Sequence, residues 1–300
     1  MRTHEERLAT ALEILEGLSV GDALGEALSY QHYRARELSD FSIFSAGSVR
    51  CTDDTEMALG VCETLKLIRG IDEDTVAWAF STRFRNDPER GYGKMARRIL
   101  ESLSTGSLWK DVSMNAFGGG SFGNGAAMRV APIGGYFADD LIAASQAAAR
   151  SARVTHFHPE GIAGAIAVAI ASAVAYSSRH LSAEQAGSAI WQAVLDYTPE
   201  GKVRSGISVA RGMSGATANE IVREVGNGAG VSAQDTVPFC IWSACRSLGD
   251  FREAFLNTVE AGGDCDTNCA IVCGIVTAYR GIGAIPEEWL RVREVLALRA

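Results

Sequence analysis

The hydrophobic residues of this chain recur at the spacing of an α-helix. From residue 8 to residue 18, apolar side chains follow one another at intervals of one or three positions, which places them on one helix face: Leu8, Ala11, Leu12, Leu15 and Leu18. Similar patterns predict further helices over residues 58–68, 74–84, 92–103, 141–152, 161–176, 183–197, 237–247, 251–261, 269–279 and 287–298.

The pattern contains almost no alternation of the β type, and residues 48–52 are the only short strand candidate. The six prolines are expected at helix boundaries, as at Pro132 and Pro159, because proline fits the first helical turn and interrupts the interior. No low-complexity linker and no internal repeat divides the chain. The sequence therefore predicts one all-α domain over residues 1–300.

Composition narrows the class of protein. With 300 residues, of which 47% are hydrophobic, the chain can bury a large core. The most apolar stretch, residues 161–176, is rich in alanine and shorter than the ~18 residues of a membrane span, so we expect a buried helix there. Residues 1–7 are charged and lack the apolar region of a signal peptide, which predicts a cytoplasmic protein.

Charge and cysteine content exclude several kinds of partner. The formal charge of −8 and the pI near 5.2 argue against nucleic acid and anionic membranes. Seven cysteines without a regular framework indicate reduced thiols. Cys265, Cys269 and Cys273 lie at intervals of four, which suits either a soft metal or a buried helix face. Free cysteine is among the most buried residue types, so we favour core packing.

Two acidic clusters carry the first candidate chemistry. One is Thr52-Asp53-Asp54-Thr55 and the other runs from Gly262 to Asn268 with Asp264, Asp266 and Thr267, each directly before a predicted helix. Aspartate and threonine are preferred helix N-caps, and negative charge suits a helix start. One cap, however, needs one such residue. Two carboxylates beside a hydroxyl are the hard oxygen ligands that suit Mg²⁺ or Mn²⁺ rather than Zn²⁺.

If the two clusters converge, four carboxylates share one pocket, and two divalent cations would cancel their charge. Adjacent residues at a helix start point about 100° apart, so Asp53 and Asp54 are better placed to serve two ions than one. Paired metal ions are a common means of positioning and activating water. Taken together, the clusters predict a dinuclear site.

A glycine-rich segment follows in the middle of the chain, from Gly118 to Arg129. Its backbone N–H groups could receive phosphate oxygens near a helix start, and Phe122 could stack on a purine or a ribose. A tight turn gives the same composition. The segment lacks the lysine that ends a P-loop and the strand that precedes a dinucleotide fingerprint.

Two histidines in the segment Thr155 to Glu160 form the last candidate. His156 and His158 invite a zinc site, but no third soft ligand lies nearby. His158-Pro159-Glu160 is typical of a helix entry with proline in the first turn. We therefore expect one of the two histidines to orient water or substrate in the site.

In this order the motifs resemble those of the ADP-ribosylglycohydrolases over nearly the full length. The resemblance rests on Gly21-Asp22-Ala23-Leu24-Gly25, the segment Thr52–Thr55, Gly123-Asn124-Gly125-Ala126-Ala127-Met128-Arg129, the segment His156–Glu160, and Gly263-Asp264-Cys265-Asp266-Thr267-Asn268. Any one motif is common, whereas five in this order are specific. The resemblance implies a compact orthogonal helical bundle with a dinuclear Mg²⁺ or Mn²⁺ cleft.

The resemblance also implies roles for individual residues. The metal ligands would be Thr52, Asp53, Asp54, Asp264, Asp266 and Thr267, and the ADP-ribose site would contain Ser121, Phe122, Gly123, Asn124, Gly125 and His156. Catalysis would involve Asp53, Asp54, Asp266 and His156. The expected activity is hydrolysis of the bond between ADP-ribose and a protein side chain, with arginine as the first expectation, by a monomer acting on ADP-ribosylated protein.

One position departs from the family pattern. The glutamate usually found four residues after the last glycine of the first motif is replaced by Ser29, and the nearest acid is Glu26, three residues earlier. Residues three apart share a helix face, so Glu26 is either a candidate catalytic substitute or a solvent-facing residue that only supports the helix. The missing glutamate keeps one alternative open, a protein that binds ADP-ribose or a protein partner without turnover. The same metal ligands leave a second alternative, a metal-dependent nucleotide phosphohydrolase.

Overall fold

The computed structural model describes residues 2–29 and 45–298. These described residues are 71% helical and contain no strand, as the all-α prediction requires. The helices of the described residues are α1 (His4–Ser29), α2 (Asp53–Ile68), α3 (Glu73–Asn86), α4 (Lys94–Ser104), α5 (Trp109–Asn115), α6 (Ala131–Tyr136), α7 (Leu141–Arg153), α8 (Pro159–Ser177), α9 (Ala183–Tyr197), α10 (Lys202–Gly212), α11 (Ala218–Val225), α12 (Ala233–Arg246), α13 (Phe251–Glu260), α14 (Cys265–Arg280) and α15 (Glu287–Val292).

Each predicted helix overlaps an observed one, and the sequence pattern missed four. Helices α5, α6 and α11 have eight residues or fewer, which is too short for a clear period. Helix α10 buries Val203, Ile207 and Ala210 at helical spacing, but its two glycines and two serines weaken the pattern.

Three details of the prediction are wrong. Residues 48–52 form no strand: Val49 makes a single parallel bridge to Arg293. This pairing also explains why α15 ends at Val292 rather than residue 298, because the following residues run beside residues 49–51. Pro238 lies inside α12, not at a boundary, and its ring packs against Gly206 of α10.

Helices α1 and α14 approach closely along three glycines of α1, Gly17, Gly21 and Gly25. A Cβ atom on Gly21 would collide with the carbonyl oxygen of Cys269, and one on Gly25 would lie 3.0 Å from the Cα of Asp266. The glycines therefore permit backbone-to-backbone contact. This contact carries Asp22 to the start of α14, where the second acidic cluster lies.

Helix α8 forms the centre of the bundle, and 78% of its most apolar window is buried, as expected for residues 161–176. It is also the one helix among the described residues that is long and apolar enough to cross a membrane. Cys265, Cys269 and Cys273 are buried on α14 as free thiols. The one group of three potential metal ligands found in the described residues contains no cysteine.

Candidate active site

A cleft of about 500 Å³ brings the predicted motifs together. Both acidic clusters, the glycine-rich segment and His156 line it. Its walls include Asp53, Asp54, Met57, Lys94, Phe117, Ser121, Phe122, Gly123, Asn124, Gly125, Met128, His156, Gly230, Val231, Asp264, Asp266 and Thr267. Thr52 and Glu26, the other predicted site residues, are not part of this lining.

The first acidic cluster begins α2. Thr52 is the N-cap, and its hydroxyl accepts from the Asp54 N–H at 3.3 Å. Helix capping therefore explains the presence of Thr52. It does not explain Asp53 and Asp54, which are both buried in the first turn. The second cluster is similar, because Asp264 precedes α14 without making a side-chain cap.

Asp22 is a site residue that the sequence reasoning did not single out. It is fully buried on α1. Its carboxylate accepts from the Thr52 N–H at 2.9 Å, from the Thr52 hydroxyl at 2.7 Å, and from the N–H and hydroxyl of Thr55. Asp22 therefore fixes the start of α2 against α1. The available signal was the only charged residue in the stretch 17–25 of α1, because a buried aspartate has to find partners.

Three carboxylates meet where α1, α2 and α14 converge. Oxygens of Asp22, Asp54 and Asp266 all lie within 4.8 Å of one another. The Asp22 oxygens already accept several hydrogen bonds, whereas the Oδ1 atom of Asp54 is buried and has no partner among the described residues. A buried oxygen without a donor is rare. Together with the hard oxygen ligands around it, this orphaned atom fits a divalent cation.

The pKa values of these carboxylates show that too little positive charge lies near them. Burial, with help from neighbouring carboxylates, raises the pKa of Asp53 to about 7 and that of Asp266 to about 8. Burial and the charge of Asp266 raise the pKa of Asp54 well above its ordinary value. The protein itself therefore does not neutralise the cluster, and a bound cation would favour the ionised forms.

Asn124 links the glycine-rich segment to the second acidic cluster. Its buried side-chain Nδ2 donates to the Asp264 carboxylate at 2.6 Å and to the Thr236 hydroxyl at 3.0 Å. Both protons of the amide are thus used within the protein. The predicted contact of Asn124 with substrate stays a prediction, and the structure adds that Asn124 orients Asp264.

The glycine-rich segment packs tightly onto the two histidines. A Cβ atom on Gly120, where φ is +89°, would collide with the backbone N of His158, and one on Gly125 would lie 2.9 Å from Cε1 of His156. The Ser121 hydroxyl accepts from the Gly123 N–H at 3.2 Å. Phe122 is 43% exposed at the cleft, and its ring packs edge-on against His158 with the ring centroids 5.3 Å apart.

His156 and His158 have different surroundings. His158 is the N-cap of α8 and its Nδ1 accepts from the Glu160 N–H at 3.1 Å, so the predicted helix entry is confirmed. His156 is buried, with Nδ1 2.8 Å from the hydroxyl of Thr155. Burial, together with the charge of Arg129, lowers the pKa of His156 to about 3. Its ring is neutral at physiological pH.

Glu26 lies beside the second acidic cluster. It is half-buried on α1, and its charge is among the causes that raise the pKa values of Asp266 and Cys265. Ser29 is exposed at the last position of α1, where its hydroxyl donates to the carbonyl oxygen of Glu26 at 2.7 Å. Glu26 therefore adds negative charge beside Asp266, a residue of the cleft, whereas Ser29 carries no charge.

The loop between α11 and α12 is a further wall that sequence reasoning missed. Gly230 and Val231 line the cleft, and Asp235 holds the loop by accepting from the Gly230 N–H at 2.5 Å. Val231 has a φ of +50°, which is unusual for a β-branched residue. Glycines alternate with other residues over residues 226–230, and this pattern was the sequence signal for a loop here.

Buried carboxylates thus face a glycine-rich loop across one cleft. The sequence model of the ADP-ribosylglycohydrolase family matches residues 3–299, and the chain therefore belongs to this family. Members of the family act on ADP-ribosylated substrates as hydrolases and use divalent metals. These properties agree with the composition of the cleft.

Individual relatives extend this result. The chain is 33% identical to an uncharacterized protein of Archaeoglobus fulgidus over 284 residues, covering 91% of this chain and 88% of that protein. It is 30% identical to human ADP-ribosylhydrolase ARH3 over 268 residues, covering 79% and 73%. A solved structure, described as an ADP-ribosylglycohydrolase-related protein complex, superposes with a TM-score of 0.67 at 25% identity, covering 96% of this chain and 93% of that one.

Proposed function

We propose that this protein hydrolyses the glycosidic bond between ADP-ribose and a protein side chain, with two Mg²⁺ or Mn²⁺ ions in the cleft. The observation that carries the proposal is the meeting, in one cleft, of buried carboxylates with an orphaned oxygen and a glycine-rich loop beside a neutral histidine. Family membership supports the reaction class.

The acidic clusters and the glycine-rich segment, on opposite walls of the cleft, would bind different parts of the complex. The cations would be held by Thr52, Asp53, Asp54, Asp264, Asp266 and Thr267. When bound, such cations supply positive charge that fixes hydroxyl groups and favours ionisation of a water molecule. The backbone of residues 121–125 would bind the pyrophosphate, and Phe122 would stack on a ring of the ligand.

The carboxylates also suit the transition state of the reaction. Cleavage at the anomeric carbon of the distal ribose develops oxocarbenium character, which nearby negative charge stabilises. Glu26 adds negative charge on the same side and would orient the attacking water. Asp22 acts indirectly, because it holds the start of α2 in place.

We propose arginine as the modified residue. A guanidinium group carries positive charge, and the acidic side of this cleft contains the carboxylates of Asp53, Asp54, Asp264 and Asp266. Two divalent cations would offset the charge of these four carboxylates, and the further charge of Asp22 and Glu26 beside them would attract a cationic side chain more than a neutral one. Ser29, in place of the glutamate common in the family, favours one competing function, a reader that binds ADP-ribose without turnover.

The proposal is tested by incubating the protein with ADP-ribosyl-arginine peptide, ADP-ribosyl-serine peptide and ADP-ribose, each with Mg²⁺ or chelator. Products are identified by mass spectrometry, with Asp54→Asn as the matched inactive variant. Free ADP-ribose and unmodified arginine peptide are the expected products. Release from serine peptide alone would overturn the linkage, AMP would indicate a phosphohydrolase, and binding without product would indicate a reader.

The cellular location is a separate proposal. All seven cysteines are free in the structure, and six of them are buried. Reduced thiols are typical of the cytoplasm, and we propose that the protein works there. Fractionation of cells that produce the tagged protein would test this, and recovery from an extracytoplasmic fraction would contradict it.

A further inference from the structure

Arg129 is a fully buried cation that forms no ion pair with any described residue. Its Nη1 donates to the Gly125 carbonyl at 3.1 Å, and its Nη2 donates to the Ser151 carbonyl at 2.7 Å and to the Thr155 hydroxyl at 2.9 Å. The guanidinium lies 4.5 Å from the ring centre of Phe80. Burying a charge in this way is costly and calls for a reason beyond packing.

The contact with Thr155 determines where the threonine proton goes. A guanidinium has only donors, so the Thr155 oxygen is the acceptor in its bond with Arg129. The same oxygen lies 2.8 Å from Nδ1 of His156, and no other acceptor for the hydroxyl proton lies within hydrogen-bond distance among the described residues. If Nδ1 carried the ring proton, a fully buried hydroxyl donor would be left unpaired, which proteins avoid.

The hydroxyl of Thr155 therefore donates to Nδ1, and the ring proton resides on the other nitrogen, Nε2. Cβ atoms placed on Gly123 and Gly125 would lie 3.2 Å and 3.1 Å from Nε2, so this nitrogen sits between the two glycines that line the cleft. No described residue accepts a hydrogen bond from it. The N–H group is thus available to a ligand.

We propose that Arg129 and Thr155 are positioning residues that hold His156 as the Nε2–H tautomer, so that a neutral N–H donor faces a ribose or phosphate oxygen of the bound ligand. The identity of the ligand, though not the tautomer, rests on the proposed function. In this arrangement the lone-pair nitrogen of His156 faces Thr155. His156 therefore binds an acceptor oxygen and does not take a proton from water.

The lowered pKa of His156 supports this arrangement, because a ring that stays neutral keeps one donor and one acceptor. A protonated ring would donate from both nitrogens and would break the bond from Thr155. Arg129 contributes twice: its bond occupies the Thr155 oxygen, and its charge opposes protonation of His156.

The tautomer is tested by long-range ¹H–¹⁵N NMR of the ligand-free protein labelled at histidine. His158 is an internal reference, because its Nδ1 accepts from the Glu160 N–H and its ring must also be the Nε2–H form. We expect His156 to show a protonated Nε2 and an unprotonated Nδ1. A protonated Nδ1 at His156 in the wild-type protein would overturn the proposal, whatever the protein turns out to hydrolyse.

Two substitutions at Thr155 test the positioning role. Thr155→Val keeps the shape without the hydroxyl and should give a mixture of tautomers at His156 while His158 is unchanged. Thr155→Ser restores the hydroxyl and should restore the single tautomer. ADP-ribose affinity, measured by calorimetry, should fall at least fivefold in Thr155→Val and return in Thr155→Ser. An unchanged tautomer and unchanged affinity in a folded Thr155→Val would overturn the proposal.

A third variant tests the share of Arg129. Arg129→Met removes the donor that occupies the Thr155 oxygen, so that this oxygen can also accept from Nδ1–H of His156. The NMR spectrum should then contain the Nδ1–H form, and persistence of a pure Nε2–H form would remove Arg129 from the proposal. Absence of ADP-ribose binding by the wild-type protein would instead contradict the proposed function, while the ligand-free spectra would still decide the tautomer.

Discussion

The two walls of the cleft differ in how complete they are. The acidic wall, formed by Asp53, Asp54, Asp264 and Asp266, contains a buried oxygen without a partner and carboxylates with raised pKa values. In the glycine wall, formed by residues 121–125 with His156, the protein itself supplies the main hydrogen bonds through Arg129, Thr155 and Ser121. The protein's own hydrogen bonds organise the glycine wall, whereas they leave the acidic wall with carboxylates that no cationic group of the described residues neutralises.

This difference has an energetic consequence. Two carboxylates about 4 Å apart repel by roughly 4 kcal/mol at an effective dielectric constant near 20. Bound cations would offset that repulsion, so the stability of the acidic wall should depend on metal. The neutral histidine and its partners carry no comparable repulsion. Substitutions in the two walls should therefore differ in how strongly their effects depend on metal.

The largest effect is expected from removing charge at the acidic wall. Asp54→Asn and Asp266→Asn keep shape but remove a carboxylate, and each should lower turnover by roughly a thousandfold because both would hold the same metal pair. The double variant should cost little more than either change alone, as measured by steady-state kinetics. Losses that multiply would indicate independent sites. Asp139→Asn, which alters an acid outside the cleft, is the control and should be near wild type.

Metal should also stabilise the fold, more strongly at higher pH. The folded apo protein holds protons on Asp53 and Asp266 up to about pH 7 and 8, while the unfolded chain releases them near pH 4. The unfolded state thus binds fewer protons, and apo stability falls as pH rises from about 4 to 8.

In scanning calorimetry, chelator should therefore lower the melting temperature more at pH 8 than at pH 6, by on the order of 5 °C. Excess Mg²⁺ should restore it by mass action. Asp54→Asn is the matched control, because it removes one of the repelling charges and should reduce both dependences. A melting temperature insensitive to chelator at both pH values would count against the metal site.

A smaller effect is expected at Glu26. If this half-buried glutamate replaces the acid missing at position 29, Glu26→Gln should lower turnover about tenfold, equivalent to ~1.4 kcal/mol of barrier, with ADP-ribose affinity nearly unchanged. Ser29→Glu should then add little. The reverse pattern, a silent Glu26→Gln and a more active Ser29→Glu, would show that Glu26 only supports the helix.

The smallest effect is expected at Asn124, which links the glycine wall to the acidic wall. Asn124→Ala removes the bond to Asp264, so it should weaken ADP-ribose binding about fivefold, or ~1 kcal/mol. Cys269→Ser, in the core of α14, should lower the melting temperature more than the affinity. Calorimetry that shows wild-type affinity in Asn124→Ala would remove this residue from the ligand site.

Much of the site was predictable because its charged residues begin helices. Asp53, Asp54, Asp264 and Asp266 exceed what capping requires, and their hard oxygens indicated a metal before any geometry was known. The glycines at residues 118–125 likewise signalled a loop of close approach. Such signals are local: they depend on residues a few positions apart, and a period or a motif captures them.

The remaining parts of the site depend on contacts between distant residues. Arg129 has the sequence appearance of a surface cation, and only its position between Phe80, Ser151 and Thr155 makes it a buried donor. Asp22 belongs to a family motif, but its role follows from α1 lying against the start of α2. The strand predicted at residues 48–52 is wrong for the same reason. The partner of Val49 is Arg293, far away in sequence, and the two residues make only a single bridge.

The most direct test of the two-wall account is the coupling between metal and ADP-ribose, measured by calorimetric titration of ADP-ribose with Mg²⁺ and with chelator. If both walls contact the same ligand, removal of metal should weaken ADP-ribose binding at least tenfold, or ~1.4 kcal/mol. Asp54→Asn titrated in Mg²⁺ controls for chelation of the ion by the pyrophosphate, and it should show the same loss. Equal affinity with Mg²⁺ and with chelator, together with wild-type affinity in Asp54→Asn, would contradict the account.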